Sequence, residues 1–218
     1  MKKRPIVIKV GGSLMQQKSL ARDLAAFLDT IGTHQVVLLT GGGPAVKGMR
    51  ELGDKLPYSE AEAHWQCIKL MGDLTRSMSE SFPNSQAVTS WQQVEAAWQA
   101  DRIPWLVIEP FLREDEHQED HLPHSWDVSS DSIAAHLARR HQADLILLKA
   151  CPLPAKKAKA TDYARLGIVD PYFSLVAKKL KSWKICNLPG GPLEPIEFEP
   201  DRPKRAVKKK RKQHRAQR

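Results

Sequence analysis

Lys9 stands near the end of an apolar run, Ile6-Val7-Ile8-Lys9-Val10, and Gly11-Gly12-Ser13 follows at once. A second cluster, Gly41-Gly42-Gly43-Pro44, follows the run QVVLLT at 35–40. Glycines at such corners let backbone N–H groups approach a phosphate, and a helix N-terminus behind them adds favourable partial charge. Gly11, Gly12 and Ser13 are therefore one candidate phosphate cradle, and Gly41, Gly42 and Gly43 a second. A tight strand-to-helix turn needs the same glycines, so one cluster alone would say little. Two clusters, the first beside a lysine, favour phosphate. A lysine in an apolar strand is costly unless it reaches the edge of the sheet. There it can neutralise charge on a transferring phosphoryl group. The competing reading is a solvated lysine on an edge strand.

The common nucleotide motifs do not fit. Gly43 and Gly48 have the P-loop glycine spacing, but Met49 stands where that motif needs lysine. A GxGxxG run from Gly41 would end at position 46, which is Val46.

Elements must position these residues. Pro5–Val10 has strand character, and Leu20, Leu24, Phe27, Leu28 and Ile31 recur at helical spacing before the second strand. Two strands around one helix make a βαβ unit, which predicts a mostly parallel sheet with helices on its faces. Further on, the sequence predicts a helix over 59–81, a short strand over 86–89 and a helix capped by Ser90. A strand over 105–108, a polar surface loop over 113–124 and a helix from Ser129 or Ser130 to about His141 follow. Asp144–Lys149 (DLILLK) reads as a buried central strand. Residues 151–164 read as a flexible excursion with Pro152, Pro154, Lys156, Lys157 and Lys159, and 172–180 and 183–187 as a last helix and strand. Gly190-Gly191 lie in a proline-rich stretch that closes the domain.

The 218 residues suit one sizeable domain. No apolar run is long enough to span a membrane, and the apolar stretch after Met1-Lys2-Lys3-Arg4-Pro5 is too short for a signal-peptide core. A cytoplasmic protein is expected. Three separated cysteines, Cys67, Cys151 and Cys186, support neither a zinc site nor a disulfide framework. Of 34 Lys/Arg and 25 Asp/Glu, ten and one lie in 201–218, which leaves 24 of each in 1–200. The charge excess thus belongs to a tail, expected to be disordered, and the domain spans 1–200. Such a tail could neutralise nucleic-acid phosphates without sequence preference, or merely solubilise; it has no aromatic residue for base stacking.

Three motifs in order resemble the amino acid kinase superfamily, which includes acetylglutamate, aspartate, uridylate and carbamate kinases. They are Ile6–Ser13, Gly41–Gly43 after QVVLLT, and Ser129-Ser130-Asp131-Ser132-Ile133-Ala134-Ala135-His136 leading into Ala143–Leu148. The resemblance implies a three-layer αβα sandwich and phosphoryl transfer from ATP with Mg²⁺. It assigns charge stabilisation to Lys9 and backbone contacts with donor and acceptor to the glycines. It gives Asp131 the task of orienting the lysine; a carboxylate at a helix start also suits a plain cap. It further implies a homodimer built on the helix near 59–81.

A narrower likeness is carried by Ala63-His64-Trp65, by Leu122-Pro123-His124-Ser125-Trp126-Asp127 and by Gly167–Phe173. These resemble the branch that phosphorylates an aminomethylfuran-methyl phosphate in methanofuran biosynthesis. Trp65 and Trp126 would then stack on a furan ring, with His124 or Asp127 at its polar ends; the tryptophans could equally be core.

Two departures stand out. The family's acidic, glycine-containing turn is replaced by Ala150-Cys151-Pro152-Leu153-Pro154, and its second lysine is missing from Gly167–Pro171. Lys149 is the candidate for nucleotide phosphate contact, with Lys156, Lys157 and Lys159 as other possible substitutes. The reading is a small-molecule kinase acting on a phosphate or carboxylate acceptor. A ligand-binding regulator that has lost catalysis is the alternative, and a nucleic-acid-associated protein a third. His117, His121 and His124 sit in a polar stretch without cysteine, and no resident metal is expected there.

Overall fold

The computed structural model describes residues 4–32, 35–53, 55, 57–154 and 158–189. The basic tail 201–218, Gly190-Gly191, Lys156 and Lys157 lie outside the described residues.

Six parallel strands form one sheet: β1 Ile6–Val10, β2 Val36–Thr40, β3 Ser85–Val88, β4 Ile103–Leu106, β5 Asp144–Lys149 and β6 Trp183–Asn187. Their order is β3-β4-β2-β1-β5-β6, so β1 is central. Lys9 pairs in register with Leu39 on one side and Leu147 on the other. Lys9 therefore lies on the central strand and not on an edge strand, and its side chain reaches Asp131 at the carboxyl edge of the sheet.

Alternation along β1 divides the layers. Ile6, Ile8 and Val10 face α1 (Leu20–Ile31) and pack with Leu24 and Phe27. Val7 and Lys9 face the opposite layer, where Val7 packs with Ile68, Met71, Ile133 and Leu137. That layer holds α3 (Glu60–Ser81), α5 (Ile108–Asp115), α6 (Ser130–Arg140), α7 (Ala160–Arg165) and α8 (Phe173–Ala177). The result is the expected αβα sandwich. Two further helices are α2 (Gly43–Gly53) and α4 (Trp91–Gln99).

Local signals start several helices. Ser59 and Glu62 make a reciprocal capping box on α3, the serine Oγ accepting from the Glu62 amide and the Ser59 amide donating to Glu62 Oε2 at 2.8 Å. Ser90 Oγ accepts from the Gln93 amide and caps α4.

Three expectations change. Arg113 to Asp115 belong to α5 rather than to a loop, and Asp115 and Leu122 are buried. Charged letters hid these inward-facing residues. The fourth strand ends at Leu106 because Val107 and Ile108 already start α5. The excursion after β5 contains α7, anchored by buried Tyr163.

Candidate active site

Neighbours of β1 diverge in sequence order, β2 on one side and β5 on the other, so the crevice at their carboxyl ends is a topological switch point. Ligands of open α/β sheets bind at such points. Lys9 reaches it from β1 and Lys149 from the end of β5.

Between them stands Asp131, in the first turn of α6. Lys9 Nζ donates to Asp131 Oδ1 at 3.0 Å, and Lys149 Nζ to Oδ2 at 2.6 Å. Lys9, Asp131 and Lys149 are 4%, 3% and 9% exposed, so the three charges face one another with little water between. Burial alone would raise the Asp131 pKa, but the two lysines outweigh it and hold the carboxyl below its ordinary range. Burial first, then Lys9, pulls the Lys149 ammonium down to about 8 against the pull of Asp131. One carboxylate shared by two lysines leaves a net positive centre, which suits a multiply charged anion.

The two glycine turns meet beside this centre. A Cβ on Gly12 would lie 2.0 Å from the Gly43 nitrogen, so only glycine permits the approach. Gly43 has φ +53°, in the region that favours glycine, and opens α2 with Pro44 behind it. Gly11 and Gly41 hold the strands instead, their amides donating to Leu148 O and Val10 O.

Asp170 holds α6 in place. It accepts from the Ser129 amide and hydroxyl, from the Ser132 amide at 2.9 Å and from the Ser132 hydroxyl, and from the Phe173 amide. A carboxylate at a helix N-terminus is favoured by the dipole and satisfies orphan amides. As a cap this aspartate is not legible in the sequence, because it lies some forty residues from the helix start it caps.

A cavity of about 310 Å³ opens from the centre. Lys9, Gly12, Ser13, Gly42, Gly43 and Asp131 line its floor, Val46, Ile68, Met71, Val128 and Ile133 its middle, and Lys47, Arg50, His64 and Trp126 further wall. Of the residues singled out for substrate, Gly42, Gly43 and Trp126 are here, and Gly41 is not among the lining residues. Trp65 and His124 are not: they line a small adjoining cleft behind His64, where Arg113 lies over the Trp65 ring at 3.5 Å and His124 pairs with Glu116. Asp127 is exposed and absent from the cavity wall, its carbonyl accepting from the Tyr172 amide. Lys47, Arg50 and His64 were missed. Lys47 and Arg50 fall one and two turns after Gly43, a spacing visible only once α2 is known to start there. Burial, then His124 and Arg50, push the His64 pKa down to about 4, so its imidazole is neutral.

Residues 4–102 match the model of the amino acid kinase family, a stretch that carries Lys9 and both glycine turns. Among solved structures, the UMP kinase from Bacillus anthracis is similar at 14% identity and TM-score 0.59, over 85% of this chain and 88% of that one. The uridylate kinase from Archaeoglobus fulgidus is similar at 15% identity and TM-score 0.50, over 73% and 70%. No curated protein matches the chain. The chain has the amino acid kinase fold. No helix among the described residues is long and apolar enough to cross a membrane.

The donor set fits a nucleotide's phosphates. Both Asp131 oxygens accept from lysines, and among the described residues no group of three or more His, Cys, Asp or Glu gathers.

Proposed function

We propose that the chain is a small-molecule kinase that transfers the γ-phosphoryl group of ATP to an oxygen of a small anionic acceptor in the 310 Å³ cavity. The observation that carries this reading is Asp131 between Lys9 and Lys149, beside the abutting turns at Gly12 and Gly43. In the transfer a bond forms from the acceptor oxygen to phosphorus, and the bond from phosphorus to the ADP oxygen breaks. Catalysis of this kind is mostly positioning and charge stabilisation. Lys9 and Lys149 set ammonium groups against the oxygens of the transferring group. Asp131 fixes both and takes no proton, since its carboxyl is held in the ionised form. Mg²⁺ would enter with the nucleotide, neutralise phosphate charge and use few protein ligands.

A finer version takes an aminomethylfuran-methyl phosphate as the acceptor. The Trp126 ring at the cavity wall supports a flat body. A second reading, a ligand-binding regulator without turnover, is favoured by one feature: Ala150-Cys151-Pro152 replaces an acidic, glycine-containing turn after β5.

The test is ADP release by the purified protein with MgATP, against a panel of small phosphates, carboxylates and aminomethylfuran phosphates. Acceptor-dependent release is expected, falling by about a thousandfold in Lys9→Ala. Ligand binding without ADP release from any acceptor would sink the kinase reading in favour of the regulator.

A further inference from the structure

The upper wall of the cavity carries cationic groups that phosphoryl transfer at the floor does not use. Arg50 lies in the wall, seven residues along α2 from Gly43. At 1.5 Å per residue its Cα lies about 10 Å along the helix from that of Gly43. Its guanidinium sits over the Trp126 ring at 4.6 Å and donates one hydrogen bond, from Nη2 to the Trp126 carbonyl at 3.2 Å. The buried Nε has no acceptor, and no carboxylate pairs with Arg50, among the described residues. A guanidinium has five N–H donors, and a buried donor left unmade is costly. Lys47, one turn nearer the floor, adds charge; its own pairing with Glu51 is exposed and loose at 3.9 Å.

Among the described residues, Asp131 is the one carboxylate that lines the cavity, and Glu60 stands behind its wall. Asp131 is taken by two lysines, and Glu60 Oε1 accepts from the Trp126 amide at 2.8 Å. Between the two cationic ends the wall is apolar, formed by Val46, Ile68, Met71 and Ile133.

We propose that Arg50, backed by Trp126, is a second anion site, so that the acceptor carries two anionic groups separated by an uncharged, apolar body. The reacting anion lies at Lys9 and the second at Arg50. Which end reacts rests on the kinase reading; the two-anion site does not. This second site argues against the aminomethylfuran version of the acceptor, whose ammonium end would meet Arg50 and Lys47 there.

Binding measured by calorimetry, without ATP, tests the site apart from turnover. The probes are benzyl phosphate, 4-carboxybenzyl phosphate and 4-(aminomethyl)benzyl phosphate, which differ only at the far end. Wild-type protein should bind the carboxylate about tenfold more tightly than the parent, the size of one charge-assisted contact. The ammonium compound should bind more weakly than both. Arg50→Gln should erase the carboxylate's advantage, and Arg50→Lys should keep part of it. Equal binding of all three, tightest binding of the ammonium compound, no binding at all, or a preference that survives Arg50→Gln would each overturn the proposal. Charge-ordered binding with no ADP release would leave the anion site standing and remove the kinase reading alone.

Discussion

Helix α6 has a buried aspartate network at each end, and the two differ in charge balance. At its N-terminus Asp131 serves Lys9 and Lys149, one negative charge against two positive, at the wall of a cavity. Toward its C-terminus Asp115 of α5 meets His136 Nε2 at 2.6 Å and Arg140 Nε at 2.6 Å. Asp120 closes that second network onto Arg139 and Arg140. Burial keeps His136 below its ordinary pKa despite Asp115, so the imidazole is neutral and two carboxylates balance two guanidiniums. Basic residues in the last turn also suit the helix dipole, as Asp131 suits the first. A balanced network neutralises its own charge and ties α5 to α6, although Arg140 Nε and Nη2 face their carboxylates without hydrogen-bond geometry. An unbalanced one beside a cavity is completed by a ligand. Charge balance among the direct ion pairs, one carboxylate to two lysines against two carboxylates to two guanidiniums, separates the two better than burial does.

The sharpest break of this comparison is a matched pair of substitutions. Asp131→Asn should reduce turnover about a thousandfold by releasing both lysines from their geometry. Asp115→Asn should leave turnover per folded molecule unchanged and lower unfolding free energy by about 3–5 kcal/mol, the usual cost of breaking a buried pair. Denaturant melts and ADP release on both variants decide it. If Asp115→Asn also lost turnover in its folded fraction, the C-terminal network would be part of the machinery and the division would fail.

The N-terminal network was far more legible in the sequence than the other. Lys9 and Asp131 lie in motifs with glycines and a helix start, and β5 announced itself as a continuous apolar run ending in Lys149. Asp115 gave no such signal. It sits among Arg113, Glu114 and Glu116, a charged stretch that resembles surface, and only helical phase within α5 turns it inward. Asp170 and Arg50 were hidden for a related reason. Each acts on a partner distant in sequence, Asp170 on the start of α6 and Arg50 on Trp126. Local pattern carries strands, turns and caps; it does not carry pairings set by tertiary packing.

A smaller effect distinguishes the networks by pH. Lys149 titrates at about 8 in the fold and at 10.5 when unperturbed. Between those values the unfolded chain binds more protons, so the contribution of Lys149 makes stability rise as pH goes from about 8 to 10.5. Turnover should move the opposite way. Loss of the ammonium charge above pH 8 should produce an alkaline limb in kcat/KM near that value. Lys149→Arg keeps its charge at every accessible pH, so it should carry the limb upward. Asp115→Asn should leave the limb where it is. A limb still near pH 8 in Lys149→Arg would mean that another group governs it.

The smallest effect concerns the rim of the C-terminal network. Asp120 has a side chain 45% exposed, while that of Asp115 is 5% exposed, yet both pair with Arg140. Exposed pairs are screened by water and salt, buried ones much less. The Asp120 carboxyl is held at about 2, chiefly by its hydrogen bond from Arg139. Its stabilising contribution is therefore present above the unperturbed 3.8 and is lost as pH falls toward 2. Asp120→Asn should lower Tm at neutral pH by less than Asp115→Asn does, and that difference from wild type should shrink as salt is raised. Turnover should not change. A salt-independent loss as large as that of Asp115→Asn would show that the rim is as enclosed as the centre, and that charge balance alone, without burial, holds this end of α6.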